Sequence, residues 1–280
     1  MLDLKSQLSL SCRIAEGFLS KEEAIMSFSE LADVAVAAGY KSICMRGSQI
    51  GVHTETEKVK EAKATLNAHG LNVTMITGDF DTVYNNDRGP SALRNIGPTL
   101  DLAETLEASL VRVCMKSPED IPFARAAADL AEDRGIRLVT QCHIQSIFET
   151  VDQIVDSLEK ISHPNFGLIY EAANLEQCRQ PYGLATIERL VPWIANVYIQ
   201  NQRLNPNGKL TLDTWSHGPV SFDLIEIPDN GGIDFKSVLR GLNRIGYTGP
   251  ITVHQSAPED DSISPESAAK STAEFLNGIF

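Results

Sequence analysis

No stretch of this chain gathers lysine and arginine. Its 280 residues hold 24 Lys and Arg against 37 Asp and Glu, a formal net charge of −13. A partner gripped through its phosphates, such as duplex nucleic acid, is therefore not expected. No apolar run approaches the roughly 20 residues of a membrane span, so no membrane partner is expected either. The N-terminus, MLDLKSQLSLSC, lacks a basic region followed by an apolar one and predicts no signal peptide. There is no CxxC pair. Five cysteines stand far apart, Cys12, Cys44, Cys114, Cys142 and Cys178, and their odd number disfavours a disulfide framework or a zinc knuckle. Four lie in apolar, strand-like runs, where a thiol acts as a small hydrophobe. A reducing cytoplasm is the expected compartment. The first such run is followed by no glycine-rich phosphate fingerprint, which weakens a dinucleotide-binding doubly wound sheet.

What is present is alternation. Hydrophobic residues make up 42% and charged residues 22%, enough for a sizeable core. Short apolar runs alternate with amphipathic segments. The spacing predicts strands at 9–14, 42–45, 72–77, 109–115, 136–142, 166–171, 194–200 and 250–254. A helix follows each strand. The first opens on Ser20 with Glu23 as a capping box; others cover about 56–69, 91–107, 118–134, 146–161, 183–191, 234–245 and 264–276. The segment 201–232 reads as a long functional loop. Glu259, Asp260 and Asp261 read as a solvated loop. Eight strand–helix units without a composition break predict a single α/β domain over 1–280, a (β/α)8 TIM barrel. A doubly wound sheet is the alternative.

The segment FGLIYEAANLE organises the reading. Its apolar run, Phe166 to Tyr170, stops at a carboxylate, Glu171, as a buried parallel strand does at its C-terminal end. In a barrel those ends face one mouth. The residues expected there are Arg46, Asp79, Lys116, Gln141 with His143, Glu171, Gln200 and His254. Gln141, Glu171, Gln200 and His254 offer amide, carboxylate and imidazole donors that would surround Mn²⁺, Mg²⁺ or Zn²⁺. The alternative for the same four is a hydrogen-bonded polar cluster. Asp79 would hold a sugar hydroxyl or cap the following loop. Arg46 would bind a hydroxyl or carboxylate, or lie in solvent. Trp215 and His217 occupy the long loop, where the indole would stack on a sugar or anchor the loop.

These residues carry a resemblance. GIRLVTQCH, FGLIYEAANL, NVYIQN and GGIDFKSVLRGLNRIGYTGPITVH resemble the last four units of the xylose-isomerase-like TIM barrels. That superfamily includes sugar isomerases and epimerases, hydroxypyruvate isomerase, inosose dehydratase and, more distantly, AP endonucleases. The resemblance implies a metal held by Gln141, Glu171, Gln200 and His254, where the family usually has Glu, Asp, His and Glu. The usual His on strand seven falls on Tyr198; Gln200 lies two residues on, on the same face. Arg203 matches a substrate-binding Arg of the epimerases. The implied activity is metal-assisted isomerisation or epimerisation of a sugar or keto-sugar through an enediolate. Glu171, His254 and His143 are the expected catalytic residues, with Arg46, Asp79, Lys116 and Arg203 binding substrate. Gln141 accepts no proton near neutral pH, so a two-Glu relay is unavailable. His254 is the first base expected, ahead of His143, Lys116 and His53. A lyase or hydrolase on oxidised glycosides and a non-catalytic carbohydrate-binding barrel are the competing readings. Self-association into a homo-oligomer is left open.

Overall fold

The structure is a computed structural model that describes residues 3–17, 19–256 and 263–279; the acidic run at 259–261 lies outside them. Eleven strands follow in chain order: β1 Leu8–Ser11, β2 Ser42–Arg46, β3 Asn72–Thr77, β4 Leu110–Val113, β5 Arg137–Gln141, β6 Phe166–Glu171, β7 Ile194–Ile199, β8 Gln202–Leu204, β9 Leu210–Thr214, β10 Gly218–Leu224 and β11 Ile251–Val253. Seven of them and β11 close an all-parallel barrel in the order β1-β11-β7-β6-β5-β4-β3-β2. This is the expected (β/α)8 barrel. Parallel strands are covered on both faces, which explains their continuous apolar runs.

Two apolar layers result. Inward-facing Cys44, Met75, Leu110, Val139, Ile169, Ala195 and Tyr198 fill the lumen. Their neighbours along each strand pack outward against the helices, as Ile43, Val111, Leu138 and Leu168 do. All five cysteines are buried and free. Among the described residues no helix is long and apolar enough to cross a membrane.

The structure moves some expected boundaries. The helix after β1 is Phe28–Ala37, capped by Ser27 and Glu30, not by Ser20 and Glu23. Two S-x-x-E boxes compete here. The later one opens a face that buries Leu31, Ala32, Val34 and Ala35, whereas Ile25 is left 68% exposed. The long helix expected at 91–107 is broken into Ser91–Arg94 and Gly97–Leu106, with Pro98 in the first turn of the second. The segment 201–232 is not all irregular: it contains a three-stranded antiparallel sheet in the order β8-β10-β9. Asn201 ties its far end to the barrel. Its buried amide donates to Glu226 O at 2.8 Å and accepts from Ile233 N at 2.9 Å.

Candidate active site

β6 ends on Glu171, and the chain turns at once into the helix Ala172–Gln177. Ile169 faces the lumen, so Glu171, two residues on, projects to the same side above it. Val139 and Gln141 repeat this arrangement on β5. Gln141 Nε2 donates to Glu171 Oε2, and Asn174 Nδ2 donates to the same oxygen at 2.7 Å. The other carboxylate oxygen, Glu171 Oε1, is buried with no partner, and so is Gln141 Oε1. Burial pushes the Glu171 carboxyl up; the two amide donors and the nearby Arg112 and Arg13 only partly offset it, so the group stays above its ordinary 4.5.

The opposite wall is cationic. Arg46, at the end of β2, is 1% exposed and donates from Nε to Glu16 Oε1 at 2.8 Å. Arg13 Nη1 reaches Glu16 Oε2 at 3.3 Å, and Ser48 Oγ donates to Oε1 at 2.5 Å. Burial raises the Glu16 carboxyl, but the two guanidiniums and Ser48 outweigh it and hold it below its usual range. Arg46 Nη1 also lies 3.5 Å from His254 Nε2. A guanidinium only donates, so that imidazole nitrogen is the acceptor. The ring proton is then on Nδ1, 3.0 Å from Ser11 Oγ. Tyr198 covers one face of the ring, with centroids 3.8 Å apart and planes 12° off parallel. Burial and the charges of Arg46, Arg13, Arg112 and Lys21 keep His254 neutral well below its ordinary 6.5.

His143 is neutral for the same reasons, burial first and then Arg112. Its Nδ1 lies 2.8 Å from Ile144 O and 3.0 Å from the Asn85 amide nitrogen, which itself donates to Ile144 O at 3.2 Å. Lys116 is partly buried, bonds Gln145 O at 2.6 Å and sits 5.6 Å from the Trp215 ring centroid. The turn between β9 and β10 carries that indole. Trp215 N and Ser216 N donate to the buried carboxylate of Glu149 at 2.8 and 2.7 Å. The backbone of this turn is thus tied to Glu149, while Trp215 stays 55% exposed.

Other expected site residues make different contacts. Asp79 caps the helix Phe80–Tyr84 by accepting from Thr82 N at 3.1 Å, so the capping reading holds. Arg203 lies on β8, its side chain 53% exposed, 3.9 Å from Asp223. Arg46 is buried and ion-paired rather than solvated. His53 stacks on Phe80 at 4.5 Å. Gln200 lies one residue past β7, partly exposed, and no hydrogen bond joins it to Gln141, Glu171 or His254. Sequence reasoning missed Arg13, Glu16, Arg112 and Asn174. Arg112 had a signal, a charge inside the apolar run Leu110–Val113, but attention to strand ends passed over it.

The four expected metal donors do not fit a divalent cation. Only one is a carboxylate. Two bare acceptors, Glu171 Oε1 and Gln141 Oε1, invite a cation or a hydrogen-bond donor. But His254 presents its lone pair to Arg46, the inward position of β7 is filled by Tyr198, and Arg13, Arg46 and Arg112 crowd the same space. Their positive charge opposes a divalent ion that a single carboxylate would have to hold. No group of three or more His, Cys, Asp or Glu able to hold a metal occurs among the described residues.

Known proteins resemble this chain in fold and in part in sequence. Inosose dehydratase of Geobacillus thermodenitrificans is 25% identical over 137 residues, 49% of this chain and 45% of that protein. Rhizopine catabolism protein MocC of Rhizobium meliloti is 27% identical over 164 residues, 55% of this chain and 48% of that protein. The matched part thus spans about half the length of each curated relative. A xylose isomerase-like TIM barrel protein from Mycobacterium smegmatis, solved in complex with magnesium, superposes with a TM-score of 0.71 at 16% identity, over 98% of this chain and 96% of that one. Residues 32–279 match the family described as xylose isomerase-like TIM barrel, and the chain belongs to that family.

Proposed function

We propose that the chain is an enzyme acting on a small, sugar-like oxo compound, and that Glu171 moves a proton on the carbon next to the carbonyl. One observation carries this reading. Glu171 Oε1 is a buried carboxylate oxygen with no hydrogen-bond partner, on a group whose pKa is held above its ordinary value. A base needs an available lone pair and a pKa moved toward working pH, and both conditions meet there. His254 and His143 are poor proton acceptors in their surroundings and serve to orient Arg46 and substrate. Arg46 and Arg112 offer positive charge for the oxyanion that forms when the proton leaves.

Gln141 beside Glu171 leaves one working carboxyl. A single acid–base group suits transfer of a proton between adjacent carbons, which is isomerisation. It also suits dehydration: Glu171 takes the α-proton, the electrons form the C=C bond, and the β-hydroxyl leaves as water with that proton. Epimerisation, which needs a second group on the opposite face, is less well served. The partial match to an inosose dehydratase favours dehydration as the second reading. The test is proton–deuterium exchange at the α-carbon of a panel of keto-sugars and oxo acids in D₂O, followed by NMR. We expect exchange by the wild type and a loss of at least about 100-fold in Glu171→Gln. Exchange that survives the substitution would overturn the assignment. A product absorbing as a conjugated enone separates dehydration from isomerisation.

A further inference from the structure

Arg112 is unlike the other arginines of the mouth. It is 3% exposed, and its Nε is buried without a partner. Among the described residues no hydrogen bond or ion pair is made to it. Glu16 binds Arg46 and Arg13, Glu171 Oε2 accepts from Gln141 and Asn174, and no ion pair joins Glu171 to Arg112. Arg137 also has an unpartnered Nε, but it lies at the other end of β5 and is partly exposed. Burying a cation without a counter-ion is strongly unfavourable. Among the described residues, three buried guanidiniums, Arg13, Arg46 and Arg112, gather near the buried carboxylates Glu16 and Glu171. This clustering of cations occurs in a chain of net charge −13.

We propose that Arg112 holds a carboxylate of the substrate, which makes the substrate a hydroxylated oxo acid rather than a neutral sugar. The inference rests on the barrel mouth being the reactive site. The position of Arg112 selects a carboxylate over a phosphate. Arg112 pairs in register with Val139 and stands above Leu110, so the guanidinium lies on an apolar floor beneath Gln141 and Glu171. A planar two-oxygen anion matches one edge of a guanidinium. A phosphate dianion would press its remaining oxygens toward the bare acceptors of Gln141 and Glu171. With the carboxylate anchored below, the adjoining carbons of the substrate meet Glu171 Oε1 above.

The test compares three probes of one skeleton, glycerate, glycerol and glycerol 3-phosphate, by calorimetric titration of the full chain. Glycerate should bind saturably, at least tenfold tighter than glycerol and than glycerol 3-phosphate. Arg112→Met should lose at least tenfold in glycerate affinity, and Arg112→Lys, which keeps the charge but not the fork, at least threefold. If Arg112→Met does not fold, Arg112→Lys decides. Equal affinity for glycerate and glycerol, tighter binding of glycerol 3-phosphate, or glycerate affinity unchanged in a folded Arg112 variant would overturn the proposal. Glu171→Gln should keep glycerate affinity within threefold while abolishing proton exchange. Arg112-dependent glycerate binding without any exchange would therefore sink the reaction and leave the anion site standing.

Discussion

Glu171 is the buried carboxyl on which the proposed chemistry rests. Its carboxyl is desolvated, and its folded pKa lies above 4.5. A raised folded pKa means that this group favours the folded state below its unfolded value and that the contribution is lost as pH rises through the folded value. Glu171→Gln keeps an oxygen to accept from Gln141 and Asn174 and removes the buried charge. We expect the variant to match the wild type in melting temperature near pH 4 and to exceed it at pH 8, by about 1–2 kcal/mol of stability. A melting series across pH checks this, and a wild type more stable than the variant at pH 8 would contradict it. Glu16 runs the other way. Its carboxyl is held down by Arg46, Arg13 and Ser48, so its contribution is present above 4.5 and lost as pH falls. At this scale Glu171 was legible in the sequence, because a charge ending an apolar run is conspicuous. The tautomer of His254 was not, because it depends on Arg46, 208 residues away in the chain.

The elements differ in how openly the sequence announces them. β3, β6 and the helix Thr56–His69 fall where the apolar period and the Gly70 stop place them. Gly70 takes φ +64°, a conformation that favours glycine, and so ends the helix unambiguously. β9 and β10 were hidden among Gly, Pro and Asn, and their alternation LTLDT and VSFDL is too short to stand out. Arg112 was hidden differently: alternation along β4 aims it inward, but it lies inside an apolar run and not at the strand end, where site residues were sought. The hairpin between β9 and β10 depends on Glu149, whose carboxylate takes the backbone N–H groups of Gln145, Trp215 and Ser216. Glu149→Ala should cost on the order of 2–4 kcal/mol, from lost charge-assisted bonds and stranded donors. In a Trp193→Phe background the emission of Trp215 should also shift to the red as the hairpin detaches. Unchanged stability and emission would show that the carboxylate does not hold this turn.

The barrel as a whole gathers buried arginines at one end of a strongly acidic chain. That gathering was the hardest feature to read, since Arg13, Arg46 and Arg112 come from three strands or strand ends and meet only when eight strands close. Closure itself was legible from the count of strand–helix units. The expectation of a metal followed from four strand-end donors and from the resemblance, without the arginines around them. Taken together, those ends carry one free carboxylate facing several guanidiniums, so positive charge is already built into the chain. The measurement that tests this account most directly is α-proton exchange on an oxo acid turned over by the wild type, in D₂O, with the protein dialysed against EDTA and then supplemented with Mg²⁺, Mn²⁺ or Zn²⁺. The account predicts that chelation leaves the rate within about twofold and that no added ion raises it beyond that. Exchange that disappears on chelation and returns with one of these ions would contradict it.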